Sequence, residues 1–320
     1  MASKGKGKIM ISAYCLDYNN WTCVPRHVKE DFKEMADMGF DAVNLSFSES
    51  EMTYSRRTFE ILVEMAHQEG LKVNVIPSRI GGRFAGAPLM PSLWAVQHPE
   101  YCVKGDYYWP VVCLESQAVR DWIKGFMKTL IMDYDLDGII WDEPKAPTLI
   151  SHHQDSIRRF GENPTEEDMA VGFCEFFDDL TAYCQELNPR LIQTLFCIKG
   201  EAEFFTEKIS RNKEITYFGY DGNLSRQRRF KEEIKESKYR IESVWDRTLR
   251  ECEQAGKKTF ALVETMHMPK EEHENFEKNL NAYLENYNPD HLSLYYYAHN
   301  ADDPEGLNEI IKKTMRKCIK

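Results

Sequence analysis

The 320-residue sequence contains nothing close to the roughly 18 consecutive apolar residues that a membrane-spanning helix needs. Its N-terminal apolar segment, Ile9–Tyr14, is too short for the hydrophobic part of a secretory signal. Positive charge is also scarce. The 41 Lys and Arg face 52 Asp and Glu, which leaves a net charge of -11. Nucleic acid and anionic lipid are therefore poor partners, because affinity for phosphates rests on clustered cations. Short basic runs exist, such as Arg226, Arg228, Arg229 and Lys231, but this one is followed by Glu232, Glu233 and Glu236 and reads as a solvated helix face. No Cys-x-x-Cys pair occurs, and nine dispersed cysteines are an odd count for a disulfide scaffold. Cys15, Cys113, Cys174, Cys184 and Cys197 sit among apolar neighbours, where a thiol behaves as a small hydrophobe. These absences predict a reduced, cytoplasmic protein with no membrane partner.

A 42% hydrophobic content over this length supports a large core, and short apolar runs alternate with longer amphipathic ones. The apolar runs Lys8–Tyr14, Asp41–Phe47, Leu71–Pro77, Gly138–Asp142, Leu191–Cys197, Ile215–Tyr220, Thr259–Glu264 and His291–Ala298 read as eight strands. Between them lie helix patterns at Pro25–Met38, Arg56–Gln68, Gln117–Asp133, Glu166–Leu187, from Glu201, Ser225–Ala255 (a long charged helix or a helix pair) and Glu271–Tyr287, with Pro304–Ile319 at the end. Gly39 stands where a helix C-cap belongs. About eight βα units in order predict an α/β fold, a single (β/α)8 TIM barrel over 1–320, with a long insertion after strand 3 at about 78–115. A doubly wound open sheet is the competing fold. It usually carries a glycine-rich first turn, and Ala13-Tyr14-Cys15-Leu16-Asp17 has none.

Catalytic groups of such a barrel sit at the C-terminal strand ends. There the sequence places Asp17 and Trp21, then Glu49, then Trp94 and Trp109 within the insertion. Later ends add Asp142 and Glu143, Tyr220 and Asp221, Glu264 and His267, and finally Tyr297, His299 and Asn300. A rim of acids, amides and aromatics suits a neutral, hydroxyl-rich ligand: carboxylates accept from sugar hydroxyls, and rings cover the C–H face of a pyranose. The densest signal is Ile139-Ile140-Trp141-Asp142-Glu143-Pro144, an apolar run that delivers two carboxylates before proline ends the pairing. Cleaving a glycosidic bond needs one protonated carboxyl and one ionised carboxylate, and Glu143 with Glu264 is the pair that strands four and seven would supply.

Trp141-Asp142-Glu143-Pro144 resembles the Asn-Glu-Pro signature of the retaining (β/α)8 glycoside hydrolases of clan A, and Ala261-Leu262-Val263-Glu264-Thr265 resembles the strand-seven segment that carries their nucleophile. The resemblance implies Glu143 as acid/base, Glu264 as nucleophile, a carbohydrate substrate and no cofactor or metal. It also implies that Tyr220 hydrogen-bonds the nucleophile. Asp142 replaces the usual asparagine, as in Asp-Glu-Pro versions among less-studied barrel hydrolase-like proteins, and leaves open whether Asp142 is itself the acid. A second carboxylate beside Glu143 favours its protonated form. Two other readings use the same residues. A metal-dependent sugar isomerase or epimerase would ligate through Glu143, Glu264, His267 and Asp221, although the sequence has no His-x-His pair. A non-catalytic carbohydrate-binding barrel would use the acids only as hydrogen-bond acceptors.

Overall fold

The structure is a computed structural model, and it describes residues 8–15, 24–87, 89–104, 107–228, 232–295 and 301–318. Eight parallel strands close into a barrel in sequence order: β1 (Met10–Cys15), β2 (Ala42–Phe47), β3 (Lys72–Pro77), β4 (Gly138–Asp142), β5 (Ile192–Cys197), β6 (Ile215–Asn223), β7 (Lys258–Glu264) and β8 (His291–Tyr295). Pairing of β1 with β8, Met10 opposite His291, completes the ring. The helices between them are α1 (Pro25–Met38), α2 (Glu49–Tyr54), α3 (Arg56–Gln68), α4 (Leu93–Gln97), α5 (Gln117–Asp133), α6 (Gln154–Phe160), α7 (Glu166–Leu187), α8 (Glu203–Ile209), α9 (Trp245–Ala255), α10 (His273–Asn286) and α11 (Pro304–Cys318). Among the described residues, no helix is long and apolar enough to cross a membrane.

Each helix buries one stripe. In α1 it is Val28, Phe32, Met35 and Met38, and Gly39 ends the helix at φ 92°, a left-handed conformation that suits a residue without Cβ. Helix α7 buries a wider stripe that includes Phe173, Phe176, Phe177 and Leu180; Phe173 and Phe177 pack on Phe84, and Phe177 also on Trp141 of β4. The sequence pattern around 225–255 does not form one long helix. Only the part with an apolar stripe, Trp245, Thr248 and Cys252, becomes α9, preceded by a short 3-10 turn at Ile241–Val244. Of the charged part before it, the described residues 225–228 and 232–240 are not helical; Gln227 pairs with Lys235 through the backbone, and Arg226 forms an ion pair with Glu272.

Strand side chains alternate, so one residue in two enters the barrel lumen. On one side the lumen is polar. Ser12 bonds His291 Nε2 at 2.9 Å and Ser293 at 3.2 Å, and Asn44 Nδ2 donates to Ser12 at 2.9 Å. Asn74 in turn donates to Asn44 Oδ1 at 2.8 Å. The opposite side is apolar, formed by Ile76, Ile140, Phe196, Tyr217, Phe260 and Leu262. Above this apolar half the same alternation presents Asp142, Asp221 and Glu264 at the mouth.

The candidate active site

Register and parity place the acids. Asp142 is two residues beyond Ile140 on β4, Asp221 lies two beyond Gly219 and four beyond Tyr217 on β6, and Glu264 lies two beyond Leu262 on β7. Glu143 would face the helix layer if β4 stayed extended. Instead its φ is 37°, a left-handed kink that turns it to the same cavity. Asp142, Glu143, Asp221 and Glu264 therefore line one cavity of about 430 Å³, together with Arg79, Tyr108, Lys145, Phe196, Leu262, Met266 and His267. Arg79 at φ 56° and His267 at φ 58° are also left-handed. Three strained non-glycine residues around one cavity fit a functional site, since each costs about 1–3 kcal/mol and is held only by its surroundings.

Hydrogen bonds set the charges. Lys145 Nζ donates to Glu143 Oε2. Burial opposes the charge on Lys145, but the Glu143 and Asp142 carboxylates and that hydrogen bond raise its pKa above the usual range. Glu264 Oε2 accepts from Asn223 Nδ2 and, at 3.2 Å, from Gln227 Nε2. Asp221 is only 7% exposed. Burial, the neighbouring Glu143 and Glu264 charges, a hydrogen bond shared with Glu143, and Asp142 push its pKa far above the carboxylate range. Glu201, at the end of the β5 connection, is raised from 4.5 to about 7, first by burial, with Lys145 lowering and Glu143 raising it. Among the described residues, no group of three or more His, Cys, Asp or Glu is arranged to hold a metal ion.

The insertion is built onto the barrel rather than draped over it. Arg83 is buried and donates from Nε to Val112 O at 2.8 Å and from Nη1 to Ala146 O at 3.0 Å. Ala85 N donates to Asp142 O at 2.7 Å and Lys145 N to Arg83 O at 2.8 Å, so the first part of the insertion pairs with the chain leaving β4. This contact fixes the segment that presents Asp142, Glu143 and Lys145.

The remaining residues singled out from the sequence fall into three groups. Trp109 borders an adjoining recess with Arg79, Tyr107, Tyr108 and Lys145. Glu49, Trp94 and Tyr220 are away from the cavity lining. Buried Glu49 accepts from Ser92 Oγ at 2.6 Å, Trp94 N at 2.7 Å and Gly81 N at 3.3 Å, and so pins the insertion. Trp94 stacks on Trp122 with ring centroids 4.5 Å apart. Tyr220 does not bond Glu264. It is the neighbour of lumen-facing Asp221, so it points outward, where its hydroxyl donates to buried Glu251 at 2.6 Å. Asp17, Trp21, Tyr297, His299 and Asn300 lie outside the described residues. Lys145, Asn223, Gln227 and Glu201 are the groups sequence reasoning missed. Asn223 keeps the parity of Asp221 one step further along β6, and Lys145 directly follows the Asp-Glu-Pro run, so both had a readable signal.

No protein-family model matches the sequence, and no curated protein matches it either. Solved structures do match. The catalytic domain of a beta-amylase from Paenibacillus polymyxa superposes with a TM-score of 0.65 at 7% identity, over 96% of this chain and 99% of that one. An endo-1,4-beta-mannanase from Rhizomucor miehei gives 0.65 at 10% identity over 99% and 97%. A beta-galactosidase from the haloarchaeon Halorubrum lacusprofundi gives 0.68 at 10% identity over 98% of this chain and 58% of the larger enzyme. What this chain shares with these (β/α)8 glycoside hydrolases is the closed eight-stranded parallel barrel with helices between its strands.

Proposed function

We propose that the protein is a glycoside hydrolase that cleaves a neutral glycoside or oligosaccharide with two carboxyl groups. The observation that carries this reading is the convergence of Glu143 from β4 and Glu264 from β7 on one cavity of sugar-binding size. Glu264, oriented by Asn223 and Gln227, is the nucleophile, and its two amide donors hold the carboxylate without neutralising it. Glu143 is the acid/base at the leaving oxygen, re-aimed into the cavity by its left-handed backbone. Asp142 and His267 contact sugar hydroxyls, and exposed Tyr108 covers a pyranose face. The glycosidase neighbours support the same class of chemistry. Retention of configuration requires carboxyl groups about 5–5.5 Å apart, the spacing for direct attack on the anomeric carbon.

A panel of nitrophenyl glycosides, assayed with the wild type, Glu143→Gln and Glu264→Gln, tests the proposal. Turnover of at least one glycoside is expected. Glu264→Gln should lower it by about a thousandfold or more with ligand affinity kept, as loss of an interaction made only in the transition state does. A sugar-binding protein without catalysis would show no turnover and only modest affinity changes in either variant.

A further inference from the structure

Asp221 lines one cavity with Asp142, Glu143 and Glu264, three further acids. So many acids around one buried carboxyl favour its neutral form, and the surroundings of Asp221 decide the point. Lys145 Nζ donates directly to Glu143 Oε2, whereas no such cation reaches Asp221 Oδ1. From the β4 side Asp221 meets Asp142 and Glu143, and from β7 it meets Glu264, all acidic. Phe196 and Leu262 supply apolar walls, and the cavity's other charged or titratable groups are Arg79, Lys145 and His267. Among the described residues, no N–H or O–H donor reaches Asp221 Oδ1, although the residue is over nine-tenths buried. A carboxylate left charged and unpartnered in that position is strongly disfavoured, whereas a neutral acid is not.

We infer that Asp221 is a neutral carboxylic acid in the resting protein and stores the proton that the Glu143–Asp221 pair delivers to the leaving group. The second half of this inference rests on the hydrolase reading. In the first step Glu264 forms a bond to the anomeric carbon while the glycosidic C–O bond breaks. The electron pair of that bond goes to the leaving oxygen, which takes the proton from the pair and departs as an alcohol. Both Asp221 and Glu143 are then ionised. In the second step water attacks the anomeric carbon, the Glu264 ester bond breaks, and the proton released by water returns to the pair. Lys145 already occupies one oxygen of Glu143, and the proton is held beside it on Asp221. Asp221 is thus a positioning residue for a proton and acts through Glu143.

The test is infrared spectroscopy of the folded protein at neutral pH, in the protonated-carboxyl stretch region, for the wild type, Asp221→Asn and Glu143→Gln. A band present in the wild type, lost in Asp221→Asn and kept in Glu143→Gln is the expected result. Absence of the band in the wild type, its full persistence in Asp221→Asn, or its loss in Glu143→Gln overturns the assignment. Asn is close to Asp in size, and a melting curve checks that the variant folds. The same Asp221→Asn variant should lower turnover of an alkyl glycoside by about a hundredfold, since a poor leaving group needs the proton. A nitrophenyl glycoside, whose leaving group departs as an anion, should lose less than tenfold. Equal losses on both substrates would refute the delivery role. If the infrared pattern is as expected and the wild type turns over no glycoside, the stored proton stands and the hydrolase reading falls.

Discussion

Replacing Tyr220 by Phe separates two roles for the strand-six hydroxyl. The ring is fully buried against the helix layer, and its hydroxyl donates to Glu251 Oε2 at 2.6 Å. Glu251 is itself 1% exposed and accepts in addition from Thr206 Oγ1 at 2.7 Å and Arg247 Nε at 3.2 Å. Tyr220→Phe keeps the ring packing and removes one of three donors to a buried carboxylate, a loss of about 1.5–3 kcal/mol for a hydrogen bond to a charged group. An unfolding entropy of about 2.1 cal/mol/K per residue over 320 residues gives roughly 0.7 kcal/mol/K. The melting temperature should therefore fall by roughly 2–5 °C. Turnover at a temperature well below the transition should stay within about threefold of wild type, because the hydroxyl never reaches the cavity. Thermal unfolding and a steady-state assay on the same preparation provide both readouts. Unchanged melting combined with a hundredfold loss of turnover would refute the reasoning, since it would put the hydroxyl on a catalytic carboxylate.

Two pH effects follow from buried groups. Glu201 is raised from 4.5 to about 7, so the folded state keeps a proton that the unfolded chain loses above about pH 4.5; this stability is lost as pH rises through about 7. Full conversion of the shift gives about 3 kcal/mol, and discounting its partial exposure to solvent leaves about 1–2 kcal/mol. Glu201→Gln should accordingly raise stability by that amount at pH 8 and not at pH 4, as urea unfolding at the two pH values would show. His291 behaves oppositely. Burial lowers it from 6.5 to about 3, so its contribution is present above pH 6.5 and lost as pH falls toward 3. At pH 5 the loss is about 2 kcal/mol. His291→Asn, which keeps a polar partner for Ser12 and gains no proton, should flatten the stability profile between pH 7 and 5; a profile as steep as the wild type's would place the acid sensitivity elsewhere.

The barrel was legible because each strand is a short apolar run and each helix before the next strand carries a periodic stripe. The interval 225–255 misled because charged residues alone reproduce helical spacing, while only Trp245, Thr248 and Cys252 supply a face to bury. In the site, Glu264 follows from simple alternation behind Phe260 and Leu262. Tyr220 did not, since β6 carries aromatic residues on both faces, Tyr217 inside and Phe218 and Tyr220 outside, and sequence offers no parity signal there. Nor does any pattern announce the left-handed backbone of Glu143, a conformation imposed by pairing between the insertion and the end of β4. Short helices such as α2 and α6 were invisible for a related reason, because tertiary contacts rather than periodicity stabilise pieces that short.

Covalent capture at Glu264 is the most direct measurement of the central claim. With Glu143→Gln and an activated glycoside that the wild type hydrolyses, the leaving group departs unaided while attack by water lacks its base. Acid-quenched mass spectrometry should then find protein heavier by one glycosyl unit, with the added mass on the peptide that carries Glu264. An unmodified Glu264 peptide, together with undiminished turnover by Glu264→Gln, would contradict the account.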